Sequence, residues 1–448
     1  MTEAPWEGPA PAQLAPFPIA ADVVVIGGGV VGVTAGWELA RRGLRVVLCE
    51  KGRVAAEQSG RNWGWIRAQG RDPAELPLMA EAQRLWSGFA QRLGAETLGH
   101  AQVGVTYLAN GPADMDRFAA WLPHARAHDL PTRFLSAAEF QSRFPGMTPG
   151  HWAGALTTET DARAEPFLAV PALARAAAAD GLVICEGCAV RALDIAAGRV
   201  AGVITEAGRI AAPSVILAGG AWSSLFLRAH GVDLPQLSVL SSVAQTAPMT
   251  GLHTGAAADS RFALRPRADG GYTLAPGAAH TAYTGADALR HARPFWQLLR
   301  GNWRHTKLAW PPAHFPDAWS TPRRWAPDAP GPFEALRILN PAPDMAALEA
   351  VRRAFARAFP AHGLPEIRRS WAGLIDTLPD AVPVIDHVAK LPGLVLGTGL
   401  SGHGFGIGPA VGRVLADLAT GDAPGHDLQR FRLKRFSDGS RLVPGPSL

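Results

Sequence analysis

Apolar positions along this chain change period several times, and the changes predict its elements. Val23 to Ile26 is an unbroken apolar run of strand length, after which glycines fall at 27, 29 and 32. Val33, Trp37 and Leu39 then keep helical spacing, and a second run, Val46 to Leu48, leads into Glu50. Helical patterns recur at Leu76 to Leu93, Met115 to His128, 166–179 and Asp344 to Phe359, and Ser136-Ala-Ala-Glu139 has the form of a capping box. Strand signals lie at 104–109, 182–185, Val200 to Thr205 and Val215 to Ala218. The third is expected to fold back onto Arg209-Ile210 through Ala207-Gly208. Alternating runs at Ser238 to Gln245, Phe262 to Pro266 and Tyr272 to Ala275 predict a separate, mostly antiparallel sheet. Near the carboxyl end a strand (Gly393 to Leu396), a glycine-rich turn (397–410) and a helix (Val411 to Ala419) return to the opening style.

The opening order, strand, glycine turn, helix, strand, acid, is that of a Rossmann-like dinucleotide site. One glycine makes the tight turn, one lets backbone N–H groups approach a pyrophosphate, and one lets helix pack on strand. The helix N-terminus stabilises phosphate charge, and Glu50, eighteen residues after Gly32, can accept from a ribose hydroxyl. The competing reading is a buried α/β turn without ligand, and this element alone does not separate FAD from NAD. The expected architecture is α/β with two intimately joined parts. A loose tail (1–20) precedes a discontinuous cofactor domain (21–95, 151–228 and 371–430). An α+β substrate domain (96–150 and 229–370) is threaded through it.

The composition of the 448 residues, 18% charged and 48% hydrophobic, is that of a globular enzyme rather than a disordered chain. The net charge of +5 comes almost wholly from arginine, with four lysines, and no basic run suits nucleic acid. Three cysteines are too few for a disulfide framework, so a cytoplasmic setting is expected. Cys185 and Cys188 form a C-x-x-C without a second pair or histidine, read as strand packing in preference to a zinc or redox site; no metal is expected. No apolar run spans a bilayer. A Trp/Arg-rich insertion at about 285–330 stands apart: between Leu289 and Pro316 there are five Lys/Arg, three histidines and no acid. Trp296, Trp303 and Trp310 recur every seven residues there. The readings are a basic helix packing its tryptophans on a neighbouring domain or second subunit, or a peripheral membrane contact or active-site lid.

Three stretches together resemble the D-amino acid oxidase (glycine oxidase/sarcosine oxidase/DadA-like) family of FAD-dependent amine oxidoreductases. They are GGGVVG with Glu50, VILAGGAWSS at 215–224, and SWAGLIDTLPDAVPVID (370–386) followed by LPGLVLGTGLSGHGFGIGPAVGRVLADL (391–418). The resemblance spans nearly the whole chain, least at 285–330, and SGRNWGW (59–65) is similar to the flavin-proximal loop of some members. It implies FAD contacts from Gly27, Gly29, Val30, Val31, Gly32, Glu50 and Lys51 in the first stretch. Ser59, Arg61, Asn62, Trp63 and Gly64 would follow in the loop, then Val190, Ala218, Gly219 and Trp222. Gly399, Ser401, Gly402, His403, Gly404 and Phe405 would meet the flavin from the carboxyl-terminal turn. The implied reaction takes hydride from the carbon beside an amine, giving an imine that water hydrolyses, with the flavin as acceptor.

Asp376, Tyr272 and His403 are the catalytic candidates, and Trp63, Trp65, Arg67, Arg265, Tyr272, Trp371 and Asp376 the substrate-binding ones. Plain alternatives are packing for Tyr272, a solvated loop position for His403, and an ion pair with Arg368 or Arg369 for Asp376. Three departures from the family pattern matter. The arginine that often follows the WAG segment is absent, leaving Arg67 and Arg265 as carboxylate partners. No cysteine lies at 372–380, so FAD is expected to be noncovalent. GGYTLAPG (270–277) lacks the lysine that assists oxygen reduction, so O2 and a redox partner stay equally open as acceptor. The alternatives are a flavoprotein subunit of a hetero-oligomeric dehydrogenase and an NAD-dependent dehydrogenase, which would need no carboxyl-terminal glycine turn.

Overall fold

The computed structural model describes residues 4–7 and 16–445. Its organising layer is a six-stranded sheet in the order Val384–His387, Leu394–Thr398, Ser214–Leu217, Val23–Ile26, Val46–Cys49, Val183–Cys185, parallel except for the first pair. Both faces of these strands are covered. Val23, Val25 and Leu48 enter one core and Val24, Ile26 and Val47 the other, which is why the sequence shows unbroken apolar runs. Helices Val30–Arg41 and Gly404–Thr420 pack against each other on one face. A Cβ on Gly412 would stand 2.2 Å from Thr34 Oγ1, and one on Gly408 2.6 Å from Val30 Cγ1. This close approach explains why 404–410, expected as turn, is the first part of a helix. Tertiary packing outweighs the poor helix propensity of its glycines.

On the other face the antiparallel strands Val190–Ala196, Arg199–Thr205 and Gly208–Ala211 form a small sheet, with Thr205 opposite Gly208 as the turn signal predicts. The second large layer is a ten-stranded, mainly antiparallel sheet built on the long pair Leu237–Thr246 and Ile367–Thr377. Helix Met345–Ala358, N-capped by Asp344, covers Phe262, Leu264, Tyr272 and Leu274 of this sheet. Gly154–Thr158 and the whole of Ile367–Thr377 pair along their length with strands of the ten-stranded sheet.

The insertion is not one helix. Trp296 lies in helix Ala292–Asn302, Trp303 opens a 3-10 turn, and Thr306–Ala309 pairs in parallel with His280–Tyr283. The seven-residue recurrence is therefore not a single helical stripe. Among the described residues no helix is long and apolar enough to cross a membrane.

Candidate active site

The last residues of the parallel strands (Ile26, Cys49, Leu217) and Gly397 line one cavity of about 1100 Å³, closed on its other side by the long strand pair. That is the position where open α/β sheets bind ligands, and it exceeds the roughly 300–1,000 Å³ of ordinary small-molecule sites. At one end the first glycine turn is shaped by contact. Gly27 has φ +110° and a Cβ on it would stand 2.4 Å from the Ala218 carbonyl oxygen; one on Gly32 would stand 2.0 Å from the Gly27 oxygen. Gly29, the N-cap of helix Val30–Arg41, brings no side chain of its own, so beyond the Val30 N–H, which Ser59 meets, the helix presents its partly positive end to the cavity. Ser59 Oγ accepts from Val30 N at 2.9 Å. Glu50 accepts from Gly28 N and Gly52 N, both at 2.7 Å, and burial raises its pKa. Lys51 is a strut, bonded to Glu57 and to the carbonyls of Leu336 and Arg337, with its ammonium 4.3 Å over Trp222.

Six buried polar atoms without a protein partner belong to residues lining this cavity: Arg53 Nη1, Arg61 Nη2, Trp65 Nε1, Glu75 Oε1, Asp376 Oδ1 and His403 Nδ1. Buried polar groups are almost always satisfied, so their gathering in one cavity argues for a polar ligand there. Arg61 sharpens the point. Burial lowers its pKa to about 10, and its hydrogen bonds go to Ala56 O, Asn340 Oδ1 and Ala372 O rather than to an acid. A nucleotide diphosphate suits a buried cation, an open helix N-terminus and glycines that leave no room for side chains. The donor set therefore fits FAD.

At mid-cavity Asp376 Oδ2 accepts from Gly399 N at 2.8 Å and Gln236 Nε2 at 3.3 Å, and its carbonyl accepts from Ser401 N at 3.1 Å. Burial pushes its carboxyl up to about 6. None of its bonds goes to Arg368 or Arg369, and Arg369 instead pairs with Glu7.

The far end is aromatic. Trp63 and Trp65 meet edge to face at 5.4 Å, and the Arg67 guanidinium lies 5.6 Å over the Tyr107 ring, bonded to the Gln69 carbonyl. His403, the N-cap of helix Gly404–Thr420, carries its Nδ1 3.8 Å from Glu75 Oε2, and Glu75 pairs with Arg71 at 2.9 Å. Burial lowers the His403 pKa, with Glu75 opposing. Burial by itself would raise Glu75, but His403 and Arg71 outweigh it and hold the carboxyl down at about 2. Phe295, Leu298 and His305 of the insertion also line the cavity.

The cavity thus gathers Gly27, Gly29, Val30, Val31, Glu50, Lys51, Ser59, Arg61, Asn62, Trp63, Trp65, Arg67, Val190, Ala218, Gly219, Trp222, Asp376, Ser401, Gly402, His403, Gly404 and Phe405. It leaves others out. Gly32 and Gly64 shape the backbone behind it, where a Cβ on Gly64 would meet the Ala164 oxygen at 2.3 Å, and Gly399 serves through its N–H to Asp376. Tyr272 is placed elsewhere: strand alternation turns it, with Leu274, into the core under helix Met345–Ala358, and its hydroxyl donates to the His253 carbonyl at 2.9 Å. Arg265 is buried in a two-pronged ion pair with Glu165, both contacts at 2.9 Å, so it cannot also hold a substrate carboxylate. Trp371 donates to the Arg61 carbonyl at 2.9 Å and packs on Phe167, behind the wall. Arg71, Glu75 and Tyr107 escaped the sequence reading. The i, i+4 spacing of Arg71 and Glu75 just before a helix was the available signal.

A family model described as FAD dependent oxidoreductase (DAO) matches residues 22–418. Glycine oxidase of Pseudomonas aeruginosa is 27% identical over 414 residues, 90% of this chain and 95% of that protein. Human mitochondrial sarcosine dehydrogenase is 29% identical over 53% of this chain, which spans only 26% of that longer protein; the chain spans 42% of the mouse protein of that name. The solved structure of L-amino acid deaminase from Proteus myxofaciens in complex with anthranilate superposes with TM-score 0.90 at 32% identity, covering 96% of each chain. With both glycine turns facing one cavity and the family model covering nearly the whole sequence, this chain belongs to the FAD-dependent oxidoreductase (DAO) family.

Proposed function

We propose that the chain oxidises the C–N bond of an amino acid or related amine, using noncovalent FAD. Bound FAD supplies the hydride acceptor. Gly27 to Val31, the helix N-terminus and Arg61 would hold its diphosphate, Glu50 its ribose, and the 401–405 backbone its ring system. The observation that carries the substrate reading is Arg67, a cation in an aromatic chamber whose side-chain hydrogen bond goes to a backbone carbonyl. A substrate carboxylate there would gain a charge-assisted, two-pronged bond. The aromatic walls exclude water and orient the C–H bond beside the amine. Asp376 acts as a positioning residue, holding the turn that begins at Gly399. The relatives support the class, since glycine, sarcosine and L-amino acids in their names are all amines bearing a carboxylate.

For the acceptor we favour a redox partner over O2. Of the four lysines, Lys51 alone belongs to the cavity lining, and it is held at the ribose end by Glu57 and two carbonyls. The residues 289–316 supply a contact surface for a membrane or a second protein. The direct experiment is to purify the chain with FAD and screen D-, L- and N-alkyl amino acids for anaerobic bleaching of the flavin band, then compare turnover with O2 and with an artificial acceptor. Bleaching by one of these classes is expected, with faster turnover on the artificial acceptor. A folded protein that binds FAD but is bleached by none of them overturns the substrate reading. Turnover by the purified single chain excludes the dependent-subunit alternative.

A further inference from the structure

We infer that the insertion docks this protein onto an anionic lipid bilayer surface. Large apolar side chains that a fold would normally bury stand in solvent along it: Trp296 is 65% exposed, Trp303 66%, Trp310 73% and Trp319 51%, with Leu289 and Leu308 beside them. Trp310 and Trp319 pair at 6.2 Å between ring centroids. An exposed apolar patch of this kind marks a contact surface.

The chemistry around the tryptophans selects the occupant. On helix Ala292–Asn302, Arg293, Trp296 and Arg300 fall three and four places apart, so they share its outer face, and the exposed Trp303 follows directly after the helix. Arg293, Arg300 and Arg304 are exposed and form no ion pair with an acid among the described residues, whereas Lys307 is tied to Asp344 and Arg290 to Asp233. Tryptophan settles at the headgroup level of bilayers, and arginine beside it meets lipid phosphate. A second copy of the chain suits the surface poorly. A two-fold contact would set these cations against their own copies, with no acid between Leu289 and Pro316 to pair them. The opposite face of the same helix, Phe295 and Leu298, lines the cavity, so docking would hold the roof of the site against the lipid.

Co-sedimentation of the FAD-loaded protein with phosphatidylglycerol/phosphatidylcholine vesicles, against pure phosphatidylcholine, tests the inference. Binding to the anionic vesicles that weakens with salt is expected. The W296A/W303A/W310A variant should lose at least tenfold in affinity, and so should R293E/R300E/R304E, both keeping the flavin spectrum and amine turnover. None of the substituted residues lines the cavity. Failure to sediment with anionic vesicles, unchanged binding in the triple-tryptophan variant, or a dimer in solution that the same variant breaks would each overturn it. The vesicle result does not depend on which amine the site oxidises.

Discussion

A guanidinium over an aromatic ring, bonded to a backbone carbonyl, suits an anion, and at the residue scale the proposed substrate reading turns on Arg67. Arg67→Ala should raise KM for carboxylate-bearing substrates roughly 10- to 100-fold, the loss of a charged hydrogen bond worth about 1.5–3 kcal/mol. kcat should change far less, and an amine without a carboxylate should be indifferent; steady-state kinetics with an artificial acceptor reads both. Asp376 should behave differently. Removing its carboxylate leaves the buried Gly399 N–H without an acceptor, at about 1–3 kcal/mol. Asp376→Ala should therefore weaken FAD affinity about tenfold or more in a fluorescence titration of the apoprotein, while Asp376→Asn, which keeps an acceptor oxygen, should lose much less. Equal and unchanged FAD affinity in both variants would refute the positioning role.

At the scale of elements, the seat of the cofactor depends on two helices touching backbone to backbone. Thr34 Oγ1, bonded to Val30 O at 2.7 Å, occupies the space that any side chain on Gly412 would need. Gly412→Leu should force the helices apart and cost roughly 1–3 kcal/mol, as overpacking does. A lower thermal midpoint together with a reduced flavin-to-protein absorbance ratio would show it. Gly32→Ala attacks the same region from the turn, where its Cβ would overlap the Gly27 carbonyl; lost FAD binding is expected even if the protein remains soluble. These helices explain a misreading as well. A glycine-dense stretch suggests a turn by propensity, and only the neighbouring helix reveals that the glycines are needed for contact.

At the scale of the whole molecule, the insertion is tied to the main body by the ion pair of Asp287 with Arg228, and it buries a second acid, Asp317, beside it. Burial, with Asp287 adding to it, pushes the Asp317 carboxyl up to about 7 from an ordinary 3.8. A carboxyl raised in the fold disfavours folding most when ionised: the penalty is complete above pH 7 and disappears as pH falls toward 4. Asp317→Asn should thus raise the melting temperature at pH 8, relieving up to about 4 kcal/mol of charge penalty, and change it little at pH 4. A pH-independent effect would show that packing, not charge, governs the site. What the sequence by itself determined is local: the strand–turn–helix unit at 23–49, the capping box at Ser136, helices such as Leu76–Leu93 and Pro166–Ala179 and about half of the strands, but not the long strand Ile367–Thr377. Their signals are period and glycine geometry, which neighbours in sequence carry. Glu50 and the 401–405 turn line the cavity, as parts of compact motifs that neighbours in sequence also carry. Tyr272, Arg265 and Trp371 were misplaced because their surroundings come from distant segments: a helix at 345–358, Glu165, and the carbonyl of Arg61. Which face of a strand meets the cavity, which cation finds an acid and which tryptophan stays in water are settled by long-range packing. Only the tertiary structure decided those, because side-chain partners are fixed by proximity in space and not by order along the chain.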